Sequence, residues 1–402
     1  MPSRKPAVAR DLSIDLIRGI GILMIGVDHL AYLAERFGTA NFVNPFFTWL
    51  RVGWSSAAEF FVFFSGYVVG LVYARTLNSH GLMVTWARAG QRAWRVYAMN
   101  VLTCCAVLAL LHFEPFRSPR LDQISHMQAF MGEGGGNAFV AFLKMQFSPM
   151  YFEILYLYVP LLLIVPILLL TARVSSILVL LTSLTIWFMV QLNAAHGIGP
   201  AFADHGNFNP LGWQLIFVLG MLASLHQVFD RLAQAVSRRR LLTVSGALLL
   251  IAFTVKALDR ADVALPLIGR FDMPGYDKAN LGPLQLIHFL ISVVFVQQVV
   301  PRGESVSKSL PLRLVARVGS RSLECFCFST ILVYAAVARL WLLDAMDPFS
   351  LLATGGVIVV LLCGFALMID WLDSKPWRKP PPDGAETREL KLGHELPSGE
   401  SR

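Results

Sequence analysis

The chain is 402 residues long, 55% hydrophobic and only 15% charged, with a mean hydropathy of +0.59. That balance excludes an ordinary soluble domain and points to an integral membrane protein. The net charge of +8 reads as basic loops on one side of a membrane and not as a nucleic-acid surface, because Lys and Arg gather in alternate connections.

Ten apolar segments reach the roughly 17–25 residues that a spanning helix needs. They cover 13–35, 56–76, 92–113, 149–171, 174–194, 211–229, 241–258, 281–300, 318–342 and 350–372. The expected fold is therefore all-α, a polytopic membrane helix bundle of about ten transmembrane helices. Basic residues at Arg4, Lys5 and Arg10, at Arg88, Arg92 and Arg95, and at Arg238, Arg239 and Arg240 put both termini in the cytoplasm by the positive-inside rule. Residues 1–12 form a cytoplasmic tail, 13–372 the membrane domain, and 373–402 a tail too polar and proline-rich to fold. The first apolar run is too long for a cleavable signal and lacks a small-residue cleavage site. Cys104, Cys105, Cys325, Cys327 and Cys363 have no metal-type spacing and read as packing residues.

The first segment, DLIRGIGILMIGVDHL from Asp15 to Leu30, carries charge where charge is expensive. A centrally placed charge in a membrane helix costs about 2.5–3.5 kcal/mol, so Asp15, Arg18, Asp28 and His29 need partners or a wet cavity. At about 100° per residue, Arg18 and His29 project from one face, about 16 Å apart along the axis. The second segment opens on Glu59 and continues through Ser65, Gly66 and Tyr67; Gly66 and Gly70 form a small-xxx-small pair suited to close helix approach. Before the third segment, Arg88, Arg92 and Arg95 share a helical face and suit phosphate as well as the inside rule.

The outer connection 114–148 is the longest, with GEGGGN near its middle; it reads as a flexible lid without a nucleotide-loop context. Glu153 lies one turn inside the fourth segment beside Tyr151, Tyr156 and Tyr158, which fit an interfacial belt. The fifth segment is nearly featureless and reads as peripheral. Asp204, His205, Asn207 and Asn209 lead to Trp213 and Gln214 at the mouth of the sixth, where amides beside an aromatic face suit a sugar acceptor. The mixed-charge loop before the eighth segment could line the same mouth, and His288 lies about two turns into that segment. In the ninth, Glu324 has Arg317 or Arg321 as its expected partner.

Several stretches resemble known signatures. Arg18 and His29 reproduce the Arg-x10-His motif in the first membrane helix of the acyltransferase-3 superfamily, and EFFVFFSGY (Glu59 to Tyr67) looks like its second-helix signature. RDLSIDLIRG, AAEFFVFFSGYVVGLVYAR, QRAWRVY, FNPLGWQLIFVLG and NLGPLQLIHFL are similar to the OpgC family, membrane enzymes associated with succinylation of osmoregulated periplasmic glucans. The resemblance implies a bacterial inner-membrane acyltransferase that takes an acyl-CoA, succinyl-CoA first, on the cytoplasmic side. A periplasmic glucan hydroxyl is then the acceptor, with a glucan-synthesis protein as a partner; no permanently bound cofactor, metal or nucleic acid is implied.

Acyl transfer to a hydroxyl needs a base, and His29 suits it near neutral pH. Asp28 lies about 100° from His29 on the helix, so Glu59, Glu153 or His288 from facing helices are better placed to orient the ring or bind the acceptor. Arg18, Ser65, Arg92 and Arg95 are the expected donor-binding residues, and Asn209, Trp213 and Gln214 the acceptor-binding ones. The rival reading is a proton-coupled transporter or flippase of a glycan or lipid-linked sugar, in which the same residues form a proton relay. Against it, the sequence has no inverted repeat of the kind that marks many transporters.

Overall fold

The computed structural model describes residues 12–37, 44–46, 48, 53–196, 208–260, 277–301 and 303–375. Both expected tails lie almost wholly outside these residues, as do Asp204, His205 and Asn207. The described residues are all-α. Helix α1 runs over Leu12–Arg36, with Asp15 in its first turn and Arg36 in its last, each complementing the helix dipole. Helix α2 covers Ala57–His112 and holds two of the expected segments; it breaks at Gly81, whose φ of 76° suits glycine.

The connection read as a flexible lid is instead folded. It contains the short helices α3 (Pro119–Ile124) and α4 (Gly135–Leu143), with 3-10 turns at Glu114–Phe116 and Met127–Phe130. Its aromatic residues supply the reason: Phe130 packs against Phe139, Phe142 and Phe147, and Phe142 against Phe152. That cluster gives the segment a core of its own.

Helices α5 (Glu153–Val174), α6 (Ser176–His196), α7 (Pro210–Leu225), α8 (Val228–Ala235) and α9 (Arg238–Arg260) follow. After them come α10 (Pro283–Val299), α11 (Gly303–Lys308), α12 (Leu310–Ser320), α13 (Ser322–Leu342) and α14 (Pro348–Asp373). By length and composition, 7 of these helices can cross a membrane, or 8 if α7 and α8, bent by 67°, form one broken span. The difference from ten has local causes. Two expected segments share α2, while α10 is apolar but only 17 residues long.

Depth within the bundle separates two classes of helix. Over their most apolar windows, α1, α5 and α13 are each 56% buried and α2 is 61% buried, whereas α6 and α9 are 17% and α14 22%. The first group forms the centre and the second turns apolar side chains outward, as lipid-facing helices do. Close backbone contact holds the centre together. A Cβ on Gly66 would come within 2.0 Å of the Phe217 carbonyl, and one on Gly220 within 2.0 Å of the Phe63 carbonyl, so α2 and α7 touch through small residues. Gly19 and Gly319 do the same between α1 and α12, at 1.9 Å from the Val315 carbonyl and 1.8 Å from the Asp15 carbonyl. Such approach leaves no room for larger side chains, and it fixes the roll of α1.

Candidate active site

Fixing that roll matters because α1 carries both Arg18 and His29. Each lines a separate cavity. The His29 cavity has a volume of about 250 Å³ and takes its walls from α1, the start of α2, the start of α5 and Phe326 of α13. Asp28, Glu153 and Lys278 are its charged side chains.

The His29 ring lies flat on Tyr151, with centroids 3.6 Å apart and an interplanar angle of 8°, and edge-on to Phe326 at 6.3 Å. The Tyr151 hydroxyl donates to the His29 carbonyl at 2.9 Å. Among the described residues, His29 Nδ1 is buried without a hydrogen-bond partner. Stacking therefore orients the ring where a side chain of Glu59, Glu153 or His288 was expected to, and Nε2 is the nitrogen left to meet a hydroxyl. Tyr151, expected as part of an interfacial belt, is a wall of the site. Its φ of 76° is unusual for an aromatic residue; a left-handed conformation of this kind costs about 1–3 kcal/mol and persists where the surroundings enforce it. Asp28 accepts a hydrogen bond from the Thr48 hydroxyl, and half-buried Glu153 faces both this cavity and a neighbouring one.

Other expected site residues are placed elsewhere. Glu59 is fully buried and completes the α2 capping box, accepting from the Ser56 amide at 2.8 Å and the Ser56 hydroxyl at 2.6 Å, with the Gln285 amide on its other oxygen. It does not line the His29 cavity. His288 is buried against Trp54 and Gly53, with Ser55 Oγ 2.7 Å from its Nδ1.

The expected acceptor-binding trio also points inward. Trp213 is fully buried and its Nε1 donates to the carbonyls of Lys278 at 3.1 Å and Ala279 at 3.2 Å. Gln214 exchanges two hydrogen bonds with Ser183, at 2.6 and 2.9 Å, tying α7 to α6. Asn209 caps α7 by accepting from the Leu211 amide at 3.0 Å, and donates to the Asn280 side chain at 2.8 Å. None of the three lines the His29 cavity; Trp213 and Asn209 grip the turn 277–281, and Gln214 grips α6.

The second cavity, of about 150 Å³, is lined by Arg18, Ser65 and Arg92 together with Tyr73, Tyr158 and Ser322. Arg18 Nη2 donates to the Ser322 hydroxyl at 2.6 Å, and the guanidinium lies 5.5 Å from the centre of the Phe61 ring. Arg95 does not join them. It pairs with Glu324, which was expected to pair with Arg317 or Arg321. Those two arginines turn to Asp370 and Asp373, fastening α12 and α13 to α14.

A family model described as OpgC protein matches residues 10–374. The chain belongs to the OpgC family. That family is one of membrane acyltransferases that modify glucans, and the apolar helices of the bundle agree with it. No curated protein and no solved structure matches the chain.

In this OpgC chain the two stretches FNPLGWQ and DKANLGP interlock. Trp187 and Gln191 add hydrogen bonds of 2.8 Å each to the carbonyls of Leu281 and Asn280, and the Asp277 side chain accepts from the Asn280 amide groups at 3.2 and 2.7 Å. The product of all these bonds is the placement of Lys278, whose Nζ stands 5.9 Å from the Phe208 ring and which lines the His29 cavity. The sequence offered the mixed-charge loop that carries Lys278 as lining of the mouth, but singled out neither Lys278 nor Phe208. The available signal was the spacing of Asp277 and Asn280, which closes a turn directly beside a buried tryptophan's carbonyl partners. Chemically, the arrangement offers a clamped imidazole, a cation and two carboxyl side chains in one cavity, and two arginines in the other.

Proposed function

We propose that this chain transfers an acyl group, succinyl in preference to acetyl, from acyl-CoA at the cytoplasmic face of the bacterial inner membrane to hydroxyls of a periplasmic glucan. The observation that carries the reading is His29: clamped by Tyr151, closed on one nitrogen, and set in the wall of a charged cavity. Its Nε2 takes the proton of a glucan hydroxyl as the oxygen attacks the thioester carbonyl; the C–S bond then breaks, and the imidazolium returns the proton to the departing CoA thiolate. The acyl-CoA is a co-substrate that comes and goes, and a glucan-synthesis protein is the source of the acceptor.

Charge supports the donor assignment. Lys278 is the cationic side chain lining the His29 cavity, and it suits the free carboxylate of a succinyl group. Arg18 and Arg92 suit the phosphates of CoA. The levels of Arg18 and His29 differ by about 16 Å along α1, a separation that the flexible pantetheine arm can span. The test uses purified chain in nanodiscs with succinyl-CoA or acetyl-CoA and a β-glucan. Glucan-dependent release of CoA, lost in folded His29→Ala, is the expected result. Full activity in that folded variant refutes His29 as the base.

A further inference from the structure

Beside the His29 cavity lies a second opening of about 280 Å³, and the two share Glu153 and Phe208 as a common wall. Tyr156 of α5 also lines it, and one stretch of chain supplies the side chains of His126, Gln146, Phe147 and Ser148. All four belong to the folded segment between α2 and α5, to which the sequence motifs assign no chemistry. The construction is specific. His126 and Met145 line this opening at φ values of 63° and 60°, as Tyr151 lines the first at 76°. Non-glycine residues in that region are uncommon, and they concentrate at ligand sites because strain there has to be enforced by surrounding packing. The enforcing contacts are present: Tyr97 donates to the Leu143 carbonyl at 2.8 Å, the Met150 amide donates to the Ser125 carbonyl at 3.1 Å, and Phe147 packs on Phe130.

A pyranose ring has apolar C–H faces and a rim of hydroxyls, so it is matched by aromatic walls with short polar side chains between them. Together the two openings pass the about 300 Å³ at which ligand clefts begin. We propose that the Phe147–Phe208 cavity is the acceptor subsite. It holds a glucosyl unit adjacent to the one being acylated, with Phe147 and Phe208 against its C–H faces and Gln146, Ser148 and Glu153 meeting its hydroxyls. The unit beyond the Glu153–Phe208 wall then presents its hydroxyl to His29. The subsite rests on the glucan-acylation reading for its ligand, and it replaces the acceptor site expected at Asn209, Trp213 and Gln214.

The test measures two things on the full chain in nanodiscs: binding of a β-linked glucan oligosaccharide without any donor, and steady-state acyl transfer. Phe147→Ala removes a wall, and Gln146→Trp fills the opening from an exposed position, which keeps the test decisive if Phe147→Ala fails to fold. In both, the glucan Kd and the glucan KM rise about ten-fold, the order of a lost aromatic contact, while kcat and the acyl-CoA KM hold. His29→Ala binds glucan like the unmodified chain. Unchanged glucan affinity in folded Gln146→Trp overturns the subsite, as does absence of glucan binding by the unmodified chain. Transfer with a glucan KM insensitive to both variants refutes the subsite and keeps the reaction; glucan binding sensitive to both, with no acyl transfer from any donor, keeps the subsite and refutes the reaction.

Discussion

Two regions of the bundle bury polar side chains and use them in opposite ways. In the seam between α6, α7 and the turn 277–281, hydrogen bonds close among neighbours: Trp213 onto two carbonyls, Gln214 onto both groups of Ser183, and Gln191 onto Asn280. In the His29 cavity, Nδ1 of the imidazole has no partner among the described residues, and the ring is held by stacking alone. Leaving a buried polar group unpaired costs about 1–3 kcal/mol. A polar residue in a membrane helix is thus explained as a fastener when its bonds close on neighbouring chain, and calls for a chemical explanation when it stands against open space.

Substitution on the two sides of this contrast should separate activity from stability. The largest effect is expected at His29. Loss of a positioned general base lowers turnover by about 10²–10⁴-fold, and because among the described residues no partner bonds His29 Nδ1, the melting temperature of His29→Ala should stay near that of the unmodified chain. Kinetics of CoA release beside a detergent-phase thermal melt checks both. A large fall in melting temperature would place His29 with the fasteners. Glu59 is expected to behave the other way round. Glu59→Ala strips the capping box and orphans the Gln285 amide, for a loss of about 1–3 kcal/mol seen as early unfolding. Glu59→Gln keeps an acceptor oxygen there and should retain turnover per folded molecule. Loss of turnover without loss of stability in Glu59→Gln would move it into the chemistry.

The same contrast explains what could be read from the sequence. Helical period and charge cost made α1 legible: Arg18 and His29 needed only 3.6 residues per turn to be placed on one face, and each does line a cavity. The sequence pattern, however, offered Glu59, His288 and Gln214 as site residues alongside Asp28, His29 and Glu153. Hydrogen-bond partners decide that question, and Glu59's lie at Ser56 and Gln285 while Gln214's lies at Ser183. A partner 226 residues away leaves no trace in local pattern. The Phe147–Phe208 cavity was illegible for a related reason. Its glycine-rich neighbourhood looks like a lid until the aromatic residues of α4 and its flanking turns are seen to pack on one another. The two segments expected at 56–76 and 92–113 both lie in α2, on either side of its break at Gly81, so there the spans were legible from hydropathy while the continuity of the helix through the turn between them was not.

Lys278 stands where the two regions meet: the seam holds its backbone and the cavity receives its side chain. Lys278→Met should leave the melt almost unmoved and lower the preference for succinyl-CoA over acetyl-CoA by about ten-fold, the worth of one hydrogen bond to a charged group. Lys278→Arg should keep most of the preference. Competition kinetics with the two donors reads the ratio directly, and an unchanged ratio in Lys278→Met would leave the cavity without its assigned cation.

The smallest effect is expected where a fastener meets water. Asp347 caps α14 by accepting from the amides of Phe349 and Ser350 at 3.0 Å each, the same service Ser56 and Glu59 give α2 in the buried interior. Hydrogen bonds from Ser350 and then Phe349 hold the Asp347 carboxyl below its ordinary range. A depressed folded value means that the contribution is complete above the ordinary carboxylate pKa and fades as the pH falls through the lower folded one. Asp347→Ala should therefore lower the melting temperature slightly at neutral pH and not at all in strong acid, where the unmodified chain has lost the same charge. Water can replace the lost acceptor at Asp347 and cannot at Glu59, so the gap between the two alanine variants at neutral pH measures what burial, with the added Ser56 and Gln285 bonds, contributes to a cap. Equal losses would mean that the Glu59 site is wetter than its closed hydrogen bonds imply, and that it belongs with His29 after all.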